Sequence, residues 1–255
     1  MKEMILTSKN NPLIKETASL KERKGRKNLN LFLVEGVKMA KECQNSALEI
    51  ERVFLSETYA KQADELSFDE SKTVVVSDEV FRFLSDEKTP QGVLCRVKIP
   101  KAQLRAPSAS ALLLDGVSDP GNVGAIIRTA NAAGYSEIYL ADGCADPYSP
   151  KSVRASMSGL FFTKLYTASR EEILTVLENE TLLLADMNGE NAFTYQPPEK
   201  FVLAIGNEAN GLSDEVRNRA QKTVKIPMNA TQESLNAAVS AGILMYLLKR
   251  ATFLE

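Results

Sequence analysis

The residues best suited to chemistry stand in three stretches of the second half of this chain. They are Asp119-Pro120-Gly121-Asn122-Val123-Gly124 leading to Arg128, Gly206-Asn207-Glu208-Ala209-Asn210-Gly211, and Ile226-Pro227-Met228 leading to Ser234, Leu235 and Asn236. There is no histidine anywhere in the 255 residues. That removes the commonest general base and every Ser–His or Cys–His nucleophile. Any reaction must therefore run on Arg, Lys, Glu, Asp, Asn, Ser or Tyr. Cys43, Cys95 and Cys144 lie far apart without a C-x-x-C pair, so neither a disulfide framework nor a zinc site is indicated. They read as small buried residues. The available chemistry is that of positioning and charge: a guanidinium, a carboxylate, and amides and a hydroxyl to orient a substrate.

In the first stretch Asn122 stands where a helix N-cap belongs. The helix that follows, Val123–Ala133, buries Val123, Ile126, Ile127, Ala130 and Ala133, which leaves Arg128 off the apolar stripe on a face shared with Gly124 and Asn131. Gly124 clears space in front of the guanidinium. The pair Gly121-x-x-Gly124 lacks the preceding glycine of G-x-G-x-x-G, so no dinucleotide fingerprint is present. In the second stretch Gly206 permits a backbone to approach a ligand closely. Glu208 either anchors the loop by accepting backbone N–H groups or contacts a ligand directly, and Ser213 is placed to cap the next helix. In the third, a strand Val224–Ile226 is ended by Pro227. Helical spacing over Ser234–Lys249 gives a stripe of Leu235, Val239, Ile243, Tyr246 and Leu247. The small residues Ala237, Ala238, Ala241 and Gly242 predict the tightest packing site of the fold.

The elements that must hold these loops alternate along the chain. Strands are expected at Ala111–Leu114, Glu137–Leu140, Phe161–Leu165, Thr181–Ala185, Phe201–Ile205 and Val224–Ile226, with further helices at Lys151–Ser158, Arg170–Asn179 and Asp214–Ala220. Runs such as Leu112-Leu113-Leu114 lack the period-2 alternation of a half-exposed sheet, so the architecture expected is α/β, a parallel sheet covered by helices. Ligands bind beyond the carboxyl ends of such strands, where all three stretches lie. The first hundred residues form a smaller α/β unit of their own. Its strands are Leu31–Val34, Arg52–Leu55, Thr73–Val76 and Gly92–Val97, and its helices are 10–23, Val37–Cys43, Thr58–Leu66 and Asp78–Leu84 after a capping Ser77. A Pro-, Ala- and Ser-rich stretch then separates the two, giving domains 1–100 and 111–255 with a linker at 101–110.

The net charge of −2 does not advertise a nucleic-acid partner, but residues 1–30 carry eight basic residues against three acidic ones. The cluster Lys21, Arg23, Lys24, Arg26 and Lys27 is either a solvated linker or an arm that contacts phosphates without reading sequence. No apolar run approaches the length of a membrane span and the start lacks a signal-peptide core, which points to the cytoplasm.

Taken together, the three stretches resemble the SpoU (TrmH-type) branch of the SPOUT RNA methyltransferases. Asn122 and Arg128 match its first motif, Gly206, Glu208, Gly211 and Leu212 its second, and Ile226, Pro227, Met228, Ser234, Leu235 and Asn236 its third. Ala237-Ala238-Val239 departs slightly from the Val-Ser-Val of many members. Phe32–Gly36 and Pro90–Val93 look like parts of the family's small substrate-binding domain, and Ser149–Ser156, with Arg154, like a segment near the RNA. The resemblance implies transfer of a methyl group from S-adenosylmethionine to a ribose 2′-hydroxyl, with ribosomal RNA favoured over transfer RNA. A non-catalytic RNA-binding or ribosome-associated protein on the same scaffold is the alternative. It further implies a deep C-terminal trefoil knot and a homodimer through the C-terminal domain with Arg128 acting across it. The cofactor would lie against Gly206, Ile226, Met228 and Leu235. Asn122, Ser234 and Asn236 would orient ribose and arginine, and Glu208 would hold the loop or Arg128. The family's proposal of an arginine base meets a difficulty, because arginine keeps its proton far into the alkaline range. A cationic role for Arg128 toward phosphate or alkoxide is the reading adopted.

Overall fold

The computed structural model describes residues 5–61, 68–231 and 234–253. Two compact units emerge from the contacts: residues up to Lys101 together with Tyr148–Arg154, and Ala102–Pro147 together with the chain from Ala155 onward.

In the first unit, helices α1 (Pro12–Ser19) and α2 (Arg23–Leu29) precede a sheet of β1 (Leu31–Glu35), β2 (Ile50–Ser56), β3 (Thr73–Val76) and β4 (Val93–Lys98). The sheet runs β1-β4-β2-β3, with β4 antiparallel to both neighbours and β2 parallel to β3. Helices α3 (Val37–Gln44), α4 (Glu57–Ala60) and α5 (Asp78–Leu84) connect the strands. Ser77 caps α5 by accepting the Val80 N–H, as its position predicts. Of the helix expected over Thr58–Leu66, the structure places α4 at Glu57–Ala60, and residues 62–66 lie outside the described residues. Ile14, Leu20, Phe54, Val80, Phe81 and Leu94 form the core.

The basic cluster is neither linker nor free arm: Arg23–Leu29 is the helix α2. Gly25 is what folds it down, because a Cβ there would stand 2.0 Å from the Ser19 carbonyl oxygen. Arg26 is buried and donates to the carbonyls of Leu20 and Lys21 at 2.8 and 2.7 Å, so it closes the corner between the helices.

The second unit carries β5 (Ala111–Asp115), β6 (Glu137–Leu140), β7 (Lys164–Thr167), β8 (Leu182–Asn191), β9 (Val202–Gly206) and β10 (Lys222–Lys225). The order is β10-β8-β9-β5-β6-β7, and every pairing is parallel, as the continuous apolar runs predict. Helices α6 (Pro120–Ala132), α7 (Pro150–Ser156, most of which belongs to the first unit), α8 (Gly159–Phe162), α9 (Arg170–Val176), α10 (Asp214–Arg219) and α11 (Ala237–Leu248) complete the chain. The strand expected at Phe161–Leu165 begins instead at Lys164. Phe161 belongs to α8, which the absent side chain of Gly159 lets lie against the α6 backbone; a Cβ there would be 2.9 Å from Arg128 Cα. The Pro-, Ala- and Ser-rich stretch has no regular structure, yet Arg105 and Ser108 pin it to the buried carboxylate of Glu137.

Helix α11 buries a different face from the one its apolar stripe predicts. Ala237, Ala241, Leu244, Met245 and Leu248 are inside, packed toward α6, β8 and β9. Val239 and Tyr246 are 50 % and 43 % exposed, Leu235 is exposed as well, and Ile243 and Leu247 are only half-buried. The helix is apolar nearly all round, so hydrophobic periodicity does not select its inner side. Nor is Gly242 a point of closest approach: a Cβ there would meet Thr129 Cγ2 at 3.5 Å, an ordinary contact.

Candidate active site

Strand β5 lies at the middle of the parallel sheet, and its register pairs Asp115 with Gly206 of β9. The first two chemical stretches therefore leave the sheet side by side. Asp119, not Asn122, is the N-cap of α6; its side chain accepts the Asn122 N–H at 2.9 Å, and Pro120 enters at the first turn. Moving the cap back three residues frees the Asn122 side chain. Its amide nitrogen donates to Glu208 Oε1 at 2.6 Å, and its carbonyl oxygen accepts from Asn236 Nδ2 at 3.0 Å. One residue from each stretch thus meets in a single hydrogen-bonded chain. Asn236 is itself the N-cap of α11, accepting the Ala238 and Val239 N–H groups, so that helix starts at Ala237 and not at Ser234.

The loop after β9 is closed by its own backbone. Asn207 and Gly211 exchange N–H···O bonds at 2.8 and 2.9 Å, and a Cβ on Gly206 would fall 2.4 Å from the Gly211 carbonyl carbon. The glycine there serves the loop's approach to itself. Glu208 does not hold the loop by accepting its backbone N–H groups. Asn207 does that, accepting from Ala209 and Asn210 and donating to the Gly116 carbonyl at 2.7 Å. Asparagine in a glycine-flanked turn was a signal available in the sequence. Ser213 stands at the N-cap of α10, but its hydroxyl donates to Asp115 at 2.7 Å instead of capping.

Ile226, Met228, Ser234 and Leu235 line one cleft of about 120 Å3 with Asp186, Met187, Lys225, Ser240 and Leu244. Its opening comes from a break in the sheet. Between Thr223 and Val224 the β8 partner jumps from Leu184 to Glu190, so Ala185–Gly189 leaves the ladder and its first residues become a wall. Gly189 allows the return, since a Cβ there would come within 2.6 Å of Thr223. Of the four residues expected to bind a cofactor, Ile226, Met228 and Leu235 share this cleft and Gly206 is not in its lining. Asp186 is kept below the ordinary aspartate range: burial alone would raise it, but the Asn188 N–H at 3.1 Å and the Arg217 guanidinium at 2.8 Å outweigh that.

Arg128 is exposed on α6 and makes no ion pair with a described residue. Six residues at about 100° each put it roughly 120° around the helix from Asn122, and no hydrogen bond joins the two among the described residues. Of the predicted RNA contacts, Arg23, Lys24 and Lys27 are exposed. Lys21 donates to the carbonyls of Phe83 and Ser85 at 2.6 and 2.8 Å. Arg154 pairs with Asp86 at 2.6 Å and Glu87 at 3.3 Å, inside the first unit.

A parallel sheet with its polar residues gathered beyond the carboxyl ends of β5, β9 and β10 defines an α/β enzyme-type domain, and a smaller mixed-sheet unit precedes it in the chain. Residues 109–246 match the SpoU rRNA Methylase family and residues 11–95 the MRM3-like substrate binding domain. The chain belongs to the SpoU rRNA methylase family. It is 29% identical over 248 residues to the 23S rRNA (guanosine(2553)-2′-O)-methyltransferase RlmP of Bacillus subtilis, covering 96% of this chain and 98% of that one. It is 28% identical to the 23S rRNA (adenosine(1067)-2′-O)-methyltransferase of Streptomyces laurentii, over 95% of this chain and 94% of the relative. Its structure aligns with the SpoU methyltransferase AviRb of Streptomyces viridochromogenes, solved in complex with the cofactor AdoMet. The TM-score is 0.84 at 27% identity, across 96% of this chain and 99% of the other.

Proposed function

We propose that this protein methylates a ribose 2′-hydroxyl of RNA, with ribosomal RNA as the substrate class and S-adenosylmethionine as the methyl donor. The observation that carries the reading is the meeting of Asn122, Glu208 and Asn236, one from each motif, two residues along the chain from a cleft lined by Ser234. The cleft suits the donor: Ile226, Met228, Leu235 and Leu244 offer apolar surface to a flat base, while Ser234, Ser240 and Asp186 offer polar edges. When bound, S-adenosylmethionine supplies a methyl group already activated on a sulfonium, so the protein must align the ribose oxygen and help its proton leave. Asn122, fixed from both sides, holds its amide in one orientation, and Ser234 stands at the rim to bind ribose. Arg128 provides positive charge toward a phosphate or a developing alkoxide.

Because Arg128 is exposed and stands roughly 120° around α6 from Asn122, this reading assigns it to the site of a second copy in a homodimer formed through the C-terminal domain. The exposed apolar row of Leu235, Val239, Tyr246 and Phe253 supports such an interface. Residues 1–100 are assigned to RNA binding, with Arg23, Lys24 and Lys27 as phosphate contacts, 101–110 to a linker, and 111–255 to the methyltransferase domain. The deep trefoil knot belongs to the same proposal and rests on the family to which the chain belongs. No helix among the described residues is long and apolar enough to cross a membrane, and a cytoplasmic location is part of the same proposal.

Mapping 2′-O-methyl groups in RNA from cells with and without the gene tests the activity; identical maps would remove it. Arg128→Ala and Arg128→Lys should each abolish methylation while calorimetry still detects S-adenosylmethionine binding. An active Arg128→Ala protein would dismiss the proposed role of that side chain.

A further inference from the structure

One buried charge beside the site has no task in that reaction. Asp115 ends β5 with a side chain only 1 % exposed, a position where an unpaired carboxylate would be costly. One of its oxygens accepts Arg170 Nε at 2.8 Å, and the other accepts both the backbone N–H and the hydroxyl of Ser213 at 2.7 Å. Arg170 is the first residue of α9, and its own N–H donates to Asp142 at 3.1 Å. The location of these partners gives the arrangement its meaning. Ser213 closes the loop that Gly206 opens, while Asn207, near the loop's other end, donates to the carbonyl of Gly116, the residue after Asp115. Both ends of the loop are therefore tied to Asp115–Gly116, and Glu208 lies between the two ties. Glu208 is itself exposed, and Asn207 already takes the neighbouring loop N–H groups. Among the described residues, the frame of its loop is what sets its 2.6 Å approach to Asn122.

We infer that Asp115 is a positioning residue for methyl transfer: through Ser213 it fixes loop 206–213 so that Glu208 meets Asn122, and Arg170 locks the carboxylate in place. The inference rests on the methyltransferase reading for its consequence, but not for its geometry. Asp115→Asn keeps the shape and turns an N–H2 group toward Ser213 N–H or Arg170 Nε–H, so that donor faces donor. Ser213→Ala removes only the hydroxyl bond and is the milder variant should Asp115→Asn fold poorly.

The first test is hydrogen exchange read by mass spectrometry on the full-length protein. In Asp115→Asn the peptide covering 206–213 should exchange on the order of tenfold faster, and in Ser213→Ala by a smaller factor, with α6 protection unchanged. Wild-type protection of 206–213 in both variants overturns the inference, whether or not RNA is methylated. The second test is a double-mutant cycle with Glu208→Gln, read as single-turnover methyl transfer to unmodified 23S ribosomal RNA. If Asp115 acts through Glu208, the double variant should be no slower than the slower single variant within about threefold. Losses that multiply would show that Asp115 merely stabilises the fold and would overturn the inference. A wild-type protein that transfers no methyl group sinks the methyltransferase reading instead, and the exchange result still decides this one.

Discussion

The same substitution at two glycines of the C-terminal unit should have opposite effects. At Gly206 an added methyl would lie 2.4 Å from the Gly211 carbonyl carbon and 2.5 Å from the Leu212 nitrogen, well inside contact distance and against backbone that cannot swing away. The φ of Gly206 is not in the left-handed region, so the cost of Gly206→Ala is the overlap and not a strained backbone. Relief requires opening the pair of Asn207–Gly211 hydrogen bonds at 2.8 and 2.9 Å. Overpacking of this kind costs about 1–3 kcal/mol. At about 2–4 °C per kcal/mol for a domain of this size, the melting transition should fall by roughly 2–12 °C. Glu208 would move with the loop, so methyl transfer should fall further than stability explains. Gly242 lies inside α11, where a methyl would sit 3.5 Å from Thr129 Cγ2. Gly242→Ala should gain about 0.5–1 kcal/mol of helix propensity, raise the melting temperature slightly and leave activity intact. Scanning calorimetry and a tritium-transfer assay on the two variants check both. A Gly206→Ala protein with wild-type melting and activity, or a Gly242→Ala protein destabilised by more than about 1 kcal/mol, would refute the packing argument.

Replacing Arg26 by Met should cost about 2–4 kcal/mol in the first unit, because the carbonyls of Leu20 and Lys21 lose a charged, buried donor; denaturant unfolding with a probe in that unit measures it. Burial raises the Glu35 carboxyl above its ordinary 4.5, and repulsion from Glu87 adds to that, against the Ser85 and Asp86 hydrogen bonds and Arg154. A folded value above the unfolded one means that ionisation weakens the fold. Wild type relative to Glu35→Gln should therefore lose stability as pH climbs from 4.5 through the raised value and level off beyond it, as a series of unfolding midpoints would show. Burial pushes the Cys43 thiol up to about 12 and Cys144 to about 11, so native protein should resist iodoacetamide at pH 8 and label fully at these positions in urea; rapid native labelling would contradict their placement.

What the sequence determined by itself is the part of the molecule governed by local and periodic rules. Continuous apolar runs announced a parallel sheet, Ser77 announced the start of α5, and the order of three polar stretches announced which loops would gather beyond the strands. Asn122, Glu208, Ser234 and Asn236 were all legible as polar residues placed where a buried-strand protein binds ligands. Their connections were not. Asn122 was freed because Asp119 took the cap one turn earlier, and that choice depends on which backbone N–H groups the folded loop presents. Asp115 and Asn207 gained their roles only when β5 and β9 were laid side by side in register, bringing together residues about ninety positions apart. The excursion of Ala185–Gly189 from β8, which opens the cleft, depends on a neighbour strand that no window of sequence contains. Helix α11 shows the limit most plainly: apolar on nearly every side, it carries no periodic signal of which face goes inward. Tertiary packing turned Ala237, Ala241 and Leu244 inward and left Val239 and Tyr246 in solvent, because only the neighbouring α6, β8 and β9 supply the surface against which one face is better than another.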